Sequence, residues 1–206
     1  MTTAILDYGM GNTGSMRNMF SRLGVECLVT SNPEDLRASA RIVLPGVGAF
    51  DQAILRLRDL GVIDVLEERV LGAGVPFLGV CLGMQLLTRA SEEGTLPGLG
   101  WIDADTHRFE SRRIAGDLPV PHMGWNHVES TEGDGLFASQ PPDPRFYFAH
   151  SYYIECDSEE TVAATTRYGD FRFASAVRNG NVMGVQFHPE KSHLFGMRLL
   201  EAFAAL

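Results

Sequence analysis

Residues 77–86 read F-L-G-V-C-L-G-M-Q-L, and they place Cys81 where an apolar run gives way to a helix-like pattern. Gly79 and Gly83 stand two positions to either side of it. A nucleophile between a strand and a helix occupies a sharp turn, and small neighbours let the backbone pass without clashes. Free N–H groups and the positive dipole end of a helix favour a thiolate there. We interpret Cys81 as a nucleophile rather than a buried structural cysteine, with the Leu82 N–H as an oxyanion donor.

A cysteine hydrolase also needs a histidine base. His188, in residues 185–190 (V-Q-F-H-P-E), follows an apolar strand, and the carboxyl ends of parallel strands line one functional crevice. Glu190 follows two residues later and is placed to orient the imidazole. The competing base is His150, which lacks a nearby carboxylate before Glu155. The other histidines are interpreted as surface or structural residues: His107, His122, His127 and His193.

A second glycine-rich turn, residues 45–48 (P-G-V-G), ends another predicted strand and is expected near the same edge. Glycine on both sides of Val47 permits unusual peptide orientations. We interpret the Val47 N–H as a second oxyanion donor, against the alternative of a plain strand-to-helix loop.

Short strands and helical patterns alternate through residues 1–94, which is typical of parallel crossovers in an α/β sheet. The predicted strands there are 3–6, 25–29, 41–44 and 75–80, and the predicted helices are 12–23, one beginning at 33, 49–60, 62–71 and 82–90. Later β-like segments are 101–109, 122–128, 145–156, 161–166, 171–177 and 182–186, followed by a helix at 192–203. We predict one α/β domain over residues 1–206: an open, mostly parallel sheet flanked by helices, with a β-rich second half that extends or covers it.

Composition narrows the function classes. The net charge of −9 disfavours binding to nucleic acid or to an anionic membrane, since both require a basic surface. Three widely spaced cysteines, without C-x-x-C or H-E-x-x-H, argue against a disulfide framework and a structural zinc. No signal peptide or membrane span is evident. We expect a cytoplasmic protein without a metal or other cofactor.

Residues 79–85 and 185–190 resemble the class I (triad) glutamine amidotransferases. Four further stretches resemble the branch of this family that forms the glutaminase subunits of imidazole glycerol phosphate synthase in histidine biosynthesis. They are D-Y-G-M-G-N at 7–12, P-G-V-G-A-F at 45–50, H-M-G-W-N at 122–126 and Y-F-A-H-S-Y-Y at 147–153.

The resemblance implies a reaction. Cys81 would attack the side-chain amide of glutamine, His188 would act as base and then as acid to ammonia, and Glu190 would hold His188. Water would resolve the glutamyl thioester to glutamate, with Leu82 and Val47 stabilising the oxyanion. The residues that the resemblance assigns to glutamine binding are Gly48, Gln85, Ser151 and Tyr152.

A partner is expected because the 206 residues leave no acceptor domain for the ammonia. The resemblance implies a (βα)8-barrel cyclase that makes imidazole glycerol phosphate and an aminoimidazole carboxamide ribonucleotide. The interface candidates are Asn12, Trp125, Asn126 and Tyr147, with core packing as the alternative for Trp125. Residues 13–15 (T-G-S) depart from the pattern, which expects a bulkier residue at this edge.

Other functions remain open at this point. Residues 9–14 (G-M-G-N-T-G) fit the G-x-G-x-x-G of a dinucleotide-binding oxidoreductase, although no carboxylate follows the second predicted strand before Glu34. Another triad amidotransferase, from pyridoxal phosphate or anthranilate synthesis, is opposed by M-G-W-N at 123–126. A non-catalytic subunit with the same fold is opposed by the intact cysteine, histidine and glutamate.

Overall fold

A computed structural model of the chain describes residues 2–109, 118–131 and 135–206. The helices are α1 (Thr13–Arg22), α2 (Pro33–Ala38), α3 (Phe50–Asp59), α4 (Ile63–Glu67, continued by a π-turn at Glu68–Gly72), α5 (Leu82–Gln85) and α6 (His193–Ala204). The strands are β1 (Thr3–Leu6), β2 (Cys27–Thr30), β3 (Arg41–Gly46), β4 (Phe77–Cys81), β5 (Ala104–Arg108), β6 (His122–His127), β7 (Glu129–Ser130), β8 (Arg145–His150), β9 (Tyr152–Cys156), β10 (Val162–Tyr168), β11 (Phe171–Asn179) and β12 (Val182–Val185).

The main sheet has the order β2-β1-β3-β4-β12-β11-β10-β7, and β9 and β5 extend it from β11. Pairing from β2 to β12 is parallel, whereas β11 pairs antiparallel with β12, β10 and β9. Strands β6 and β8 form a separate antiparallel pair. The predicted fold class is therefore confirmed: a mostly parallel first half is extended by a strand-rich second half.

The central strands are buried on both faces, as parallel strands covered by helices should be. Every residue of β1, β3, β4 and β12 is buried. Alternate residues enter different cores: Ala4 and Leu6 join the cluster beneath α3 and α4, and Ile5 joins the one beneath α1 and α6. The carboxyl ends of these strands are therefore fixed by the packed core on both faces of the sheet.

The helix after Cys81 is much shorter than the predicted 82–90, because α5 ends at Gln85. The Thr88 hydroxyl donates to the Gln85 carbonyl at 2.8 Å, which gives the backbone an alternative to helical bonding. The Arg89 N–H then donates to the Ala104 carbonyl of β5 at 3.0 Å. Tertiary pairing with β5 therefore overrides the helical pattern.

The predicted segment 145–156 is in fact two strands, β8 and β9, separated at Ser151. β8 pairs with β6, and β9 pairs with β5 in the main sheet. The break lets the chain pass from one sheet to the other. No helix among the described residues is long and apolar enough to cross a bilayer.

Candidate active site

Cys81 occupies a strained turn between β4 and α5. It is the N-cap of α5, with φ 56° and ψ −110°, which is rare for a residue with a β-carbon. Its side chain is 6% exposed and faces a cavity. Gly46, the last residue of β3, pairs in register with Cys81, so the 45–48 turn lies beside the thiol.

The two flanking glycines are required by backbone packing. A β-carbon on Gly79 would lie 2.4 Å from the Gly83 carbonyl oxygen, and one on Gly83 would lie 2.0 Å from the Leu44 carbonyl oxygen. Strand β4, helix α5 and strand β3 therefore meet with their backbones in contact. This close approach holds the elbow that presents Cys81.

His188 reaches the same edge from β12. Val185 pairs with Val80, so the chain after β12 continues alongside Cys81. The His188 N–H donates to the Tyr147 carbonyl of β8 at 2.9 Å, and the Ser192 hydroxyl donates to the His188 carbonyl at 2.6 Å. The two contacts fix the backbone of a histidine that is only 2% exposed.

The side chains of Cys81, His188 and Glu190 form a contiguous row. His188 Nδ1 lies 2.9 Å from Glu190 Oε1, and the imidazole is also hydrogen bonded to Cys81. Burial disfavours the imidazolium, but the hydrogen bonds to Cys81 and Glu190 and the negative charge of both groups outweigh it and raise the pKa of His188 to about 9. An imidazolium at neutral pH stabilises an adjacent thiolate.

A cavity of about 280 Å³ opens beside Cys81. Both sequence-predicted oxyanion residues, Val47 and Leu82, lie in its wall, and so do the four predicted glutamine-binding residues. Those four are Gly48, Gln85, Ser151 and Tyr152. Glycine suits position 48, where φ is +117° and a β-carbon would lie 2.8 Å from the Met10 side chain.

Sequence reasoning missed Glu93, the one carboxylate in the described wall of this cavity. Its Oε2 accepts the Phe50 N–H at 3.0 Å. Burial raises the pKa of Glu93, partly offset by the Phe50 N–H, and Asp51 raises it further. The sequence signal was a carboxylate in the loop after the elbow helix, but its side chain reaches the cavity only because the predicted helix 82–90 breaks.

Gln186 was also missed as a site residue. Its Nε2 lies 3.7 Å from Cys81 Sγ, and its Oε1 accepts from Gln85 Nε2 at 3.1 Å. Gln85 Nε2 also donates to the Tyr152 carbonyl at 3.3 Å. Two buried amides therefore connect Cys81 to the wall of the cavity.

Among the glycines of residues 9–14, Gly11 has a packing role. A β-carbon on Gly11 would lie 2.7 Å from the Pro45 carbonyl oxygen, so this segment packs on the 45–48 turn. Asn12 caps α1 by accepting the Ser15 N–H at 3.2 Å. Packing against the turn explains the glycine at position 11 without a dinucleotide.

The four interface candidates lie in different settings. Trp125 is 46% exposed, stacks on His193 at a centroid distance of 5.5 Å and meets Tyr147 edge-on at 6.2 Å. Asn126 points to the other face of β6, where its Nδ2 donates to the Arg167 carbonyl at 2.9 Å. Asn12 and Tyr147 are half-buried. The outer face of β6 therefore carries Met123 and Trp125, and not Asn126.

Comparison with known proteins shows the family of the chain. Residues 4–205 match the family model described as Glutamine amidotransferase class-I. The chain is 46% identical to imidazole glycerol phosphate synthase subunit HisH 2 of Methanococcus maripaludis, over 97% of each chain. It is 45% identical to the HisH subunit of Bdellovibrio bacteriovorus, over 98% of each chain.

Solved structures show the same fold at lower identity. A structure titled as a glutamine amidotransferase superposes with a TM-score of 0.75 at 22% identity, covering 99% of both chains. A glutamine amidotransferase from Thermotoga maritima gives a TM-score of 0.66 at 20% identity, covering 98% of this chain and 82% of its own. The chain therefore belongs to the class I glutamine amidotransferases, in the branch formed by the HisH subunits of imidazole glycerol phosphate synthase.

Proposed function

We propose that this chain hydrolyses glutamine through a thioester on Cys81 and passes the ammonia to a (βα)8-barrel cyclase subunit. The cyclase joins the nitrogen to a phosphoribulosyl intermediate to give imidazole glycerol phosphate and an aminoimidazole carboxamide ribonucleotide. The carrying observation is the contact of Cys81 with His188, and of His188 with Glu190, beside a cavity of amino-acid size. The reaction takes place in the cytoplasm, where free thiols stay reduced.

The first half-reaction forms the thioester. The Cys81 thiolate attacks the δ-carbon of glutamine, and the N–H groups of Leu82 and Val47 bind the oxyanion. His188, held by Glu190, donates its proton to the amide nitrogen as the C–N bond breaks and ammonia leaves.

The second half-reaction releases glutamate. His188, now neutral, takes a proton from a water molecule that attacks the thioester carbonyl, and the C–S bond breaks to restore the thiolate. The net change is glutamine plus water to glutamate plus ammonia, with the final proton distribution set by pH. A raised His188 pKa suits this cycle because the proton needed by the leaving group is already in place.

The walls of the cavity suit the free amino acid. Glu93 is placed to pair with the α-ammonium, and Gln85, Gly48, Ser151 and Tyr152 supply amide and hydroxyl contacts. A charged pair inside a cleft fixes the orientation of the ligand. The δ-amide would then point toward Cys81.

The partner-facing surface is the outer face of β6. Met123, which is 63% exposed, borders the cavity, and Trp125 follows two residues later on the same face. Exposed aromatic and Met side chains are enriched in protein interfaces. A cyclase bound there would cover the cavity mouth and keep ammonia from solvent.

The test is a glutamine hydrolysis assay with and without the cyclase subunit and its ligand, repeated after iodoacetamide alkylation of Cys81. We expect little activity from the isolated chain, because the Val47 peptide between two glycines can adopt an inactive orientation. We expect strong activation by the cyclase and none after alkylation. Hydrolysis that survives alkylation of Cys81 would contradict the proposal.

A further inference from the structure

Two buried histidines lie beside the cavity but take no part in the chemistry described above. His122 on β6 and His150 at the end of β8 are 3% and 5% exposed. They face each other in the β6–β8 register, with His122 Nδ1 2.9 Å from His150 Nε2. His150 also lies in the wall of the cavity.

The donor and the acceptor of each hydrogen bond in this pair can be assigned without ambiguity. His150 Nδ1 lies 2.7 Å from the Tyr152 carbonyl oxygen, which only accepts, so this nitrogen carries the hydrogen. In a neutral ring Nε2 then accepts, and His122 must donate to it from Nδ1. His122 Nε2 is left as an acceptor for Asn126 Nδ2 at 3.2 Å.

Both rings are held neutral and in fixed orientations. Burial lowers the pKa of His122 to about 4. The pKa of His150 is lowered to about 3, mainly by burial and then by charge repulsion from His122 and, to a smaller extent, from His188. The hydrogen bond to the Tyr152 carbonyl raises this pKa but does not offset the other effects. The His122 ring also packs against the rings of Phe148 and Tyr168, at centroid distances of 4.8 and 4.1 Å.

The same chain of bonds continues to the nucleophile. The Tyr152 carbonyl that accepts from His150 also accepts from Gln85 Nε2, whose second hydrogen goes to Gln186 Oε1. Gln186 Nε2 in turn lies 3.7 Å from Cys81 Sγ. One polar path therefore joins Asn126, on the strand that bears Trp125, to the reacting sulfur.

We propose that His122 and His150 are positioning residues that hold the Tyr152 carbonyl and Gln85 in place and transmit docking on the outer face of β6 to the glutamine cavity. This inference rests on the proposed function, because it assigns these residues a role in glutamine use. Neither ring touches the reacting atoms in the geometry described. A displacement of β6 acts on the cavity because each bond in the path has one allowed donor and one allowed acceptor.

Two substitutions separate the halves of this role. His150→Asn places an amide N–H near the Nδ1 position and keeps the donor to Tyr152, but removes the acceptor for His122. His150→Gln places an amide oxygen near the Nε2 position and keeps that acceptor, but removes the donor to Tyr152. Each variant loses one of the two hydrogen bonds of His150. If these bonds only stabilise the fold, the two variants should have similar melting temperatures and similar kinetic constants.

We expect the two variants to differ in the assay of the complex with its cyclase. His150→Gln should raise the KM for glutamine by about tenfold, the usual cost of one buried hydrogen bond, with a smaller change in kcat. His150→Asn should affect KM less, and both variants should reduce the activation that the cyclase gives, because each breaks one bond of the path. The matched control is His107→Gln, which removes a histidine paired with Glu92 and Glu155 outside this path and should leave KM and activation unchanged.

Imidazole ¹⁵N NMR of the full-length wild-type chain supplies a test that does not depend on variants or on activity. Both His122 and His150 should be neutral at pH 7 with the hydrogen on Nδ1, the less common tautomer. A hydrogen on Nε2 of either ring would overturn the inference, and so would His150 variants that share one KM or that keep the activation of the wild-type chain. A wild-type complex that does not hydrolyse glutamine through Cys81 would instead defeat the proposed function. The NMR result would still decide which nitrogen donates and which accepts in each hydrogen bond of the pair.

Discussion

Gly79 and Gly83 are in contact across the elbow that carries Cys81: a β-carbon on Gly79 would lie 2.4 Å from the carbonyl oxygen of Gly83. Real β-carbons essentially never approach another heavy atom so closely. The two glycines thus let strand β4 turn directly into helix α5, and the turn holds Cys81 at φ 56°. The spacing that first indicated a nucleophile has a steric cause.

Gly83→Ala should destabilise the fold and abolish glutamine hydrolysis. Its new methyl group would lie 2.0 Å from the Leu44 carbonyl oxygen, and overpacking of this kind costs about 1–3 kcal/mol. Urea unfolding and the glutaminase assay check both effects. The control is Gly14→Ala, on an exposed position of α1 with nothing within 4 Å, which should add up to about 1 kcal/mol of stability. Equal stability of the two variants would refute the steric argument.

Cys81→Ala should abolish glutamine-dependent synthesis by the complex, while ammonia-dependent synthesis persists because it bypasses the thiol. The measurement is product formation with either nitrogen source. Cys27→Ala removes a cysteine on β2, outside the cavity wall, and serves as the matched control. Retained glutamine use by Cys81→Ala would defeat the assignment of the nucleophile.

Glutaminase activity should fall as pH rises through about 9. Against the effect of burial, hydrogen bonds to Cys81 and Glu190 raise the pKa of His188 to about 9, so the proton for the departing ammonia is lost only above that pH. A plot of kcat/KM against pH measures this alkaline limb. Glu190→Gln removes one cause of the raised pKa, so the limb should move to lower pH. A limb that stays in place would show that Glu190 does not set the protonation of His188.

Trp125→Ala should weaken binding of the cyclase. The indole is 46% exposed and held between His193 and Tyr147, and a preoriented aromatic at an interface centre contributes about 2 kcal/mol or more. Titration calorimetry or a pull-down against the cyclase measures the loss. Leu28→Ala, at an exposed position on β2, is the control that should bind normally. Equal affinities would place the interface elsewhere.

Stability should decline as pH falls from about 6.5 toward 4.5. An unfolded histidine takes up its proton near pH 6.5, whereas burial lowers the folded pKa of His122 to about 4 and, with the charge of His122, that of His150 to about 3. The unfolded state therefore binds more protons than the folded state in this window, so the free energy of unfolding decreases as the pH is lowered. His188 has the opposite shift, so its contribution is fully present below pH 6.5 and is lost as pH rises toward 9.

Urea unfolding at half-unit pH steps tests this decline. The slope of unfolding free energy against pH reports how many more protons the unfolded state binds. In His122→Asn this number should be smaller by about one, because one of the two buried rings is absent. A wild-type stability that is flat between pH 6.5 and 4.5 would contradict the buried, neutral state of the pair.

Local pattern was enough for the parallel half of the fold. Strand β1 matches its predicted range, and the other strands of that half lie within two residues of theirs, because continuous apolar runs bounded by turn residues identify strands buried on both faces. Prediction failed where a distant partner decided the outcome. The predicted helix 82–90 was wrong beyond Gln85, because the residues that follow pair with β5. The predicted strand 145–156 is two strands, because its two parts join different sheets.

For the candidate site, sequence alone determined which residues we expect to carry the chemistry, because a nucleophile elbow and a histidine at a strand end leave short, recognisable motifs. Only the tertiary structure decided how they are supported. It brought Glu93 into the cavity wall, turned Asn126 away from the face of Trp125, and joined His122, His150 and Gln186 into one path toward Cys81. Those contacts join residues far apart in the chain, and their donor and acceptor roles depend on burial and direction, which no local pattern contains.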